Sequence, residues 1–166
     1  MNVTKVLLVG NIKNVLPWRE SSIPTVKRSL LEKHTYSDRV VILQEDITVM
    51  FWIRSQRAPF LCVAKAGYPF DYASIPRGLS CIFKHNDRRL MIGALVHDIG
   101  FNHKYGGLEM QAGFLRELSK YYKYPKFKRR IVELAVRGNI ARHLFATKTK
   151  FDFECQRFSN IGKHYD

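Results

Sequence analysis

A histidine and a carboxylate stand side by side at the end of an apolar stretch, as the pair His97-Asp98. A neutral imidazole beside a carboxylate can bind a divalent cation, or it can act as a general base that the carboxylate orients. A hydrolytic metal site uses about three protein ligands and leaves one position open for water. The pair therefore predicts a hydrolase-like site with one divalent metal ion as cofactor, and the candidate metal ligands are His97, Asp98, His103 and Glu109.

A second polar motif, D-Y-A-S-I-P, precedes this pair and contains Asp71 and Ser74. Its Ile-Pro step is held extended, because proline disfavours the helical conformation of the residue before it. We expect the turn to direct Asp71 and Ser74 toward the helix that carries His97, where they would position water or substrate. No G-x-S-x-G motif surrounds Ser74, which argues against an α/β-hydrolase nucleophile. The candidate catalytic residues are Asp71, Ser74, His97 and Asp98.

Each of these residues also has a structural interpretation. His97 can be a core histidine that is hydrogen-bonded to a backbone carbonyl, and Asp98 can be a cap or the partner of an arginine. Asp71 and Ser74 can cap the backbone of their own turn. In that case the two motifs would only tie a sheet to a helix, and His103 would be a solvated loop residue.

The first half of the chain is predicted to form a small antiparallel sheet, because its apolar runs are rich in β-branched and aromatic residues. We expect this sheet to place Asp71 at its edge. The predicted elements are a strand at Val6–Val9, a short helix at Thr25–Lys33, a hairpin over 39–54 that turns at Glu45-Asp46, and a third strand at Phe60–Ala66.

The second half is predicted to be helical. A first helix follows a cap at Asn86 or Asp87 and places Leu90, Ala94, His97 and Phe101 on one face. A second covers Leu108 to Tyr122 with Phe114, Leu115 and Leu118 facing inward, and a third covers Lys126 to Phe145 with an apolar side of Ile131, Leu134, Ala135, Val136, Ile140 and Leu144. The predicted class is a single α+β domain, sheet-rich over 1–76 and helical over 77–147, with a tail over 148–166 that docks through Phe151, Phe153, Phe158 and Tyr165.

The chain is strongly basic, with 28 Lys and Arg against 14 Asp and Glu and a formal net charge of +14. This charge favours an anionic partner such as nucleic acid or a cell-wall polymer, although basic residues can also serve only to solvate the surface. The aromatic residues around Tyr122 can stack on bases, or they can pack inward beneath lysine and arginine stems. The predicted polyanion-binding residues are Lys126, Lys128, Arg129, Arg130, Arg137 and Arg142.

Cysteine usage and the N-terminus indicate an intracellular protein. The three cysteines, Cys62, Cys81 and Cys155, are widely spaced and form no C-x-x-C pair, so neither a disulfide framework nor a zinc ribbon is expected. The apolar run after Lys5 is shorter than the roughly 7 to 15 residues of a signal-peptide core. We therefore expect no signal peptide, no membrane span and a cytoplasmic location.

The two motifs together resemble a family of small proteins of unknown function that recurs in tailed bacteriophage and prophage genomes. That family has a strand, then G-[FY]-x-x-D-x-A-S-[VI]-P, and then a helix ending A-x-[LV]-x-H-D. The chain matches at Gly67-Tyr68, Asp71, Ala73 to Pro76 and Ala94 to Asp98. The resemblance covers roughly Val40 to Leu144. It implies a phage origin and a location in the host cytoplasm or the phage particle, and it singles out Asp71, Ser74, His97 and Asp98 as one set.

Two positions depart from the family pattern. The family usually has an aromatic hydroxyl near the fourth residue after H-D, where this chain has Gly100-Phe101, and an acid where this chain has Gln111. Glu109 is the alternative source of a carboxylate. Two functions are thus left open: a phage accessory hydrolase, or a non-enzymatic phage component in which the motifs are structural. The non-enzymatic component would be a virion or tail part, or a protein that binds nucleic acid, a host factor or other phage proteins.

Overall fold

Two antiparallel sheets and three helices make up the computed structural model over the residues that it describes, which are 1–17, 41–70, 83–84, 87–102, 105–138 and 156–160. Six strands precede the helices and one follows them, so the predicted α+β class is confirmed. The strands are β1 (Val3–Val9), β2 (Val15–Pro17), β3 (Val41–Leu43), β4 (Ile47–Ile53), β5 (Phe60–Ala64), β6 (Pro69–Phe70) and β7 (Gln156–Asn160), and the helices are α1 (Arg88–Asn102), α2 (Leu108–Tyr121) and α3 (Lys126–Arg137).

The larger sheet has the strand order β1-β4-β5-β7, and each neighbouring pair is antiparallel. Every second residue of β4 and β5 is buried, as expected for strands that bury one face. On that face Phe51 and Phe60 stack with ring centroids 5.3 Å apart, and Phe114 of α2 packs 4.9 Å from Phe60. These three rings join the helices to the sheet.

The smaller sheet has the order β2-β3-β6, so the hairpin predicted over 39–54 is wrong. β3 and β4 follow each other in the chain but belong to different sheets. The link lacks the Asn-Gly type of pair that a tight hairpin turn requires, and its two acids are held by different loops. Glu45 Oε1 accepts hydrogen bonds from Asn11 N at 2.7 Å and Asn14 Nδ2 at 3.2 Å, whereas Asp46 accepts them from Lys65 Nζ at 2.8 Å and Ala66 N at 2.9 Å.

Helix α1 is buried on nearly every side from Leu90 to Gly100. Its start is capped by Asp87, whose Oδ1 accepts the Arg89 N–H at 3.0 Å, so one of the two predicted caps is confirmed. The helix packs on α2, β5 and β7. A helix that is apolar all round is expected at the centre of a fold, and α1 occupies that position.

Helix α2 agrees with its prediction, because Phe114, Leu115 and Leu118 are all buried. Helix α3 begins at Lys126 as predicted, but it ends at Arg137 and not at Phe145, because the backbone of Gly138 is extended with φ −63° and ψ 167°.

The apolar side predicted for α3 is partly wrong. Ile131 and Val136 pack against the core, whereas Leu134 is 67% exposed and Ala135 is also exposed. The face that meets α2 includes Val132, and Leu134 therefore lies on the other side. Ile140 and Leu144 lie outside the described residues.

Several other predictions concern parts of the chain that are not described, namely the short helix at Thr25–Lys33 and the side chains of Phe151, Phe153, Phe158 and Tyr165. Part of the tail contributes β7, whose five residues pair with Phe60–Ala64 of β5. Within the described ranges, each helix is too short or too polar to span a lipid bilayer.

Candidate functional site

His97 and Asp98 form a hydrogen-bonded pair near the C-terminal end of α1. The Nδ1 atom of His97 lies 3.0 Å from Oδ1 of Asp98, and the two side chains are 11% and 31% exposed. A carboxylate can only accept, so the imidazole donates through an Nδ1–H group. In neutral His97 the other nitrogen, Nε2, therefore carries a lone pair, which is the state required of a general base or a metal ligand.

The Nε2 atom is buried, and among the described residues it has no hydrogen-bond partner. Oε1 of Gln111 is also buried and also lacks a hydrogen-bond partner among the described residues, and the Gln111 side chain is fully buried. Leaving a buried polar atom unpaired costs about 1–3 kcal/mol, so such atoms are normally satisfied by water or by a ligand. His97 on α1 and Gln111 on α2 thus each contribute one buried acceptor that lacks a donor among the described residues.

Gln111 is held against α1 by its own amide and by a glycine. Its Nε2 donates a hydrogen bond to the carbonyl of Tyr105, and the Tyr105 N–H donates to the carbonyl of Gly100 at 3.0 Å. A Cβ atom at Gly100 would overlap Oε1 of Gln111 and would lie 2.7 Å from its Nε2. The absence of a side chain at Gly100 therefore makes the room that the Gln111 amide occupies.

Asp98 also acts electrostatically on the neighbouring sheet. Burial raises the pKa of the Cys62 thiol on β5, and the negative charge of Asp98 raises it further. A buried thiol with a raised pKa carries little thiolate, which argues against Cys62 as a nucleophile. The effect of Asp98 on Cys62 indicates that its carboxylate lies on the side of α1 that approaches β5.

Glu109, a candidate metal ligand, is engaged elsewhere. Its Oε2 lies 3.1 Å from Nε of Arg137 on α3, and its side chain is 65% exposed. Within the described ranges, no three His, Cys, Asp or Glu side chains converge as a metal site would require. His103, Asp71 and Ser74 lie outside the described residues, so the full ligand set and the orientation of D-Y-A-S-I-P remain predictions.

Arg137 forms ion pairs, although it was predicted to bind polyanions. Besides Glu109 it contacts Glu133, with Nη1 3.0 Å from Oε1. The same Glu133 oxygen lies 3.0 Å from Nη1 of Arg116 on α2. The positive charge of Arg137 is therefore balanced within the protein.

The other predicted polyanion-binding residues lie at the start of α3. Lys126 and Arg130 are exposed, and the aromatic ring between them, Phe127, is 71% exposed. Lys128 and Arg129 are half-buried, and the Lys128 Nζ atom lies 5.8 Å from the ring centroid of Phe83. Arg142 lies outside the described residues.

The sequence pointed to Gln111 only as a departure from a family pattern, and it did not connect Gln111 with Gly100. The spacing carries a weak signal, because Gly93 and Gly100 are seven residues apart and so share one face of α1. Both approach α2, since a Cβ at Gly93 would lie 3.1 Å from the Leu115 carbonyl oxygen. The partner of each glycine could be identified only from the structure.

Comparison with known proteins identifies a family for this chain, but the function of that family is unknown. No curated protein and no solved structure shows significant similarity to the chain. One family model matches residues 46–136, more than half of the 166 residues, and the match includes His97, Asp98, Gly100 and Gln111. The chain therefore belongs to the family of proteins of unknown function designated DUF1353.

Proposed function

We propose that this protein is a hydrolase-like accessory protein of tailed bacteriophages that acts on an anionic substrate, with His97 as the general base and Asp98 as the residue that orients it. The hydrogen bond from His97 Nδ1 to Asp98 carries the proposal, because it leaves the Nε2 lone pair available. A proton taken from water by Nε2 gives an imidazolium that Asp98 stabilises. The resemblance of the two motifs to a phage family supports the biological setting.

The proposal also includes a divalent metal ion, for which the described residues supply one suitable ligand. Nε2 of His97 fits as a ligand, since a metal-binding histidine usually donates its other N–H to a carboxylate, as His97 does to Asp98. The residues that complete the set are proposed to come from Asp71 or His103, which are not described.

The test is hydrolysis of a panel of anionic substrates by the wild type and by His97→Gln. The panel holds phosphate mono- and diesters, nucleotides and peptidoglycan fragments, each with and without added Zn²⁺ or Mn²⁺. Because general base catalysis contributes about 10²- to 10⁴-fold, we expect His97→Gln to lower the rate by at least about 100-fold without lowering the melting temperature. If the wild type hydrolyses nothing above the blank and carries no metal by elemental analysis, the hydrolase proposal is wrong.

A second candidate function is non-enzymatic binding of a polyanion such as nucleic acid through the start of α3. The observation that favours it is the exposure of Lys126, Phe127 and Arg130 together, because single-strand binders combine cations for phosphates with rings for bases. In this case the His97-Asp98 pair would only help to hold α1 in place.

The polyanion candidate is tested with a single-stranded oligonucleotide and the double variant Lys126→Gln/Arg130→Gln. We expect roughly tenfold weaker binding and a salt dependence reduced by one to two phosphate contacts. The matched control is Arg137→Gln, which removes a cation that is already paired and should change the affinity much less. Affinity that is flat between about 50 and 200 mM salt, or unaffected by the double variant, would exclude this function.

A further inference from the structure

His97 Nε2 and Gln111 Oε1 are two buried acceptor atoms, and their side chains meet α1 at backbone positions about one helical turn apart. His97 precedes Gly100 by three residues, which is a rise of about 4.5 Å along the helix. The Gln111 amide packs against Gly100, so it meets α1 about one turn beyond the His97 backbone. Neither His97 Nε2 nor Gln111 Oε1 has a hydrogen-bond partner among the described residues.

The orientation of the Gln111 amide follows from its contact with Tyr105. A carbonyl oxygen only accepts, so the NH₂ group of Gln111 must face the Tyr105 carbonyl and Oε1 must lie on the other side. The contact of Oε1 with Gly100 agrees with this orientation. Oε1 is therefore an acceptor that the surrounding structure holds against α1.

The orientation of His97 leads to a matching conclusion. Asp98 takes the Nδ1–H group, so neutral His97 also presents an acceptor at Nε2. Two acceptors cannot satisfy each other, but a single donor with two hydrogens can satisfy both. Water is such a donor, and two hydrogen bonds of about 2.8 Å let it join acceptors that are up to about 5 Å apart.

We propose that one water molecule bridges Nε2 of His97 and Oε1 of Gln111, and that Gln111 is a positioning residue for the water that His97 deprotonates. The catalytic half of this statement rests on the proposed hydrolase function, whereas the bound water does not. In the reaction, one O–H proton of the water passes to Nε2 and the oxygen bonds to the electrophilic centre of the substrate. The electron pair of the broken bond leaves with the leaving group, while Gln111 Oε1 holds the second proton.

The first test is a crystal structure of the full chain at about 1.5 Å resolution. We expect a peak within about 3.2 Å of both atoms in the wild type. That peak should be absent in Gln111→Met, which keeps the length of the side chain and removes the acceptor, and present in Gln111→Glu, which keeps an acceptor. No peak, a peak that touches only one of the atoms, or a peak with the anomalous signal of a metal would overturn the proposal.

The second test uses the ¹⁵N chemical shift of His97 Nε2, which reports a hydrogen bond accepted by that nitrogen. We expect the shift to change in Gln111→Met and to return toward the wild-type value in Gln111→Glu at equal melting temperature. A purely structural Gln111 would leave the signal unchanged, which would count against the bridge.

Activity separates this inference from the proposed function. With any substrate that the wild type hydrolyses, Gln111→Met should lower kcat by about 10- to 100-fold with little change in KM, because the water is misplaced while substrate binding is kept. An active wild type with kcat unchanged in Gln111→Met would overturn the positioning role while leaving the hydrolase proposal intact. A bridging water in a protein that hydrolyses nothing would confirm the water site and contradict only the catalytic half.

Discussion

One neighbour determines which ring nitrogen of neutral His97 carries the proton. Asp98 accepts the Nδ1–H group at 3.0 Å, and this contact holds the imidazole in a single tautomer. The sequence showed that the two residues are adjacent but not that they bond, because neighbouring helical side chains point about a hundred degrees apart. The 3.0 Å distance shows that the two side chains turn toward each other in spite of this separation.

We predict that Asp98→Asn changes the tautomer of neutral His97. An asparagine amide can donate to Nδ1, which moves the proton to Nε2. Long-range ¹H–¹⁵N NMR should show the Nδ1–H form in the wild type and a large population of the Nε2–H form in the variant. Asp87→Asn is the matched control, since it neutralises a different carboxylate on α1, and an Nδ1–H signal preserved in Asp98→Asn would contradict the assignment.

The ionised Asp87 carboxylate at the start of α1 makes the stability of the fold depend on pH. The hydrogen bond from the Arg89 guanidinium holds the pKa of Asp87 below its ordinary value of 3.8; burial opposes this shift, and the Arg89 N–H and the charge of Lys128 add to it. A carboxyl with a lowered pKa in the folded state stabilises the fold above its ordinary pKa. That contribution is lost as the pH falls through the folded value.

We predict that Asp87→Asn is less stable than the wild type at pH 7 by about 0.2–1 kcal/mol, and that the two become equally stable at a pH low enough to protonate Asp87 in the folded protein, which lies below its ordinary pKa of 3.8. The asparagine keeps the cap and removes only the charge. Urea unfolding at both pH values measures the difference. An unchanged gap at low pH would show that lost capping, and not the ion pair, is responsible.

At the scale of elements, the contact between α1 and α2 depends on glycine. Gly93 and Gly100 face α2, and a Cβ atom at Gly100 would enter the space of the Gln111 amide. Ordinarily an alanine stabilises a helix interior by about 1 kcal/mol relative to glycine. Packing against α2 therefore decides whether replacing one of these glycines stabilises or destabilises the fold.

We predict that Gly100→Ala destabilises the wild type by about 1–2 kcal/mol, because overpacking outweighs the gain in helix propensity. In a Gln111→Ala background the obstacle is gone, and the same substitution should stabilise by up to about 1 kcal/mol. Gly113→Ala on α2 is the control, since its Cβ would meet only Met1 atoms at 3.4 Å, and it should stabilise in both backgrounds. Equal effects of Gly100→Ala in the two backgrounds, measured by urea unfolding, would contradict the contact.

At the scale of the whole molecule, the larger sheet is assembled from both ends of the chain. The strands β4 and β5 lie inside the matched region 46–136, whereas their outer neighbours β1 and β7 come from residues 3–9 and 156–160. The family region therefore contains the centre of this sheet without its edges.

We predict that a chain ending at residue 155 is less stable than one ending at residue 160 by about 2–4 kcal/mol. The shorter chain lacks β7, so the backbone groups of Phe60–Ala64 lose their partners on that edge, each at about 0.5–1.5 kcal/mol net. Thermal unfolding and amide exchange in β5 measure the loss. Identical melting temperatures for the two chains would show that β7 contributes nothing to the fold.

Local patterns in the sequence were enough to predict the elements around the site. The strands β4 and β5, predicted from β-branched and aromatic residues, and the cap at Asp87 depend on residues close together in the chain, and these predictions agree with the structure. The His97-Asp98 pair was likewise identified from its residue types, although its catalytic role and that of Asp71 and Ser74 stay predictions.

Only the tertiary structure decided which elements meet. It separated β3 from β4, paired β7 with β5, set Leu134 outside, and joined Arg137 to Glu109. These outcomes depend on contacts between residues far apart in the chain, which no local periodicity encodes. The same is true of the site: the sequence by itself placed a histidine beside an aspartate, but the packing of α2 on Gly100 placed Gln111 within a turn of them.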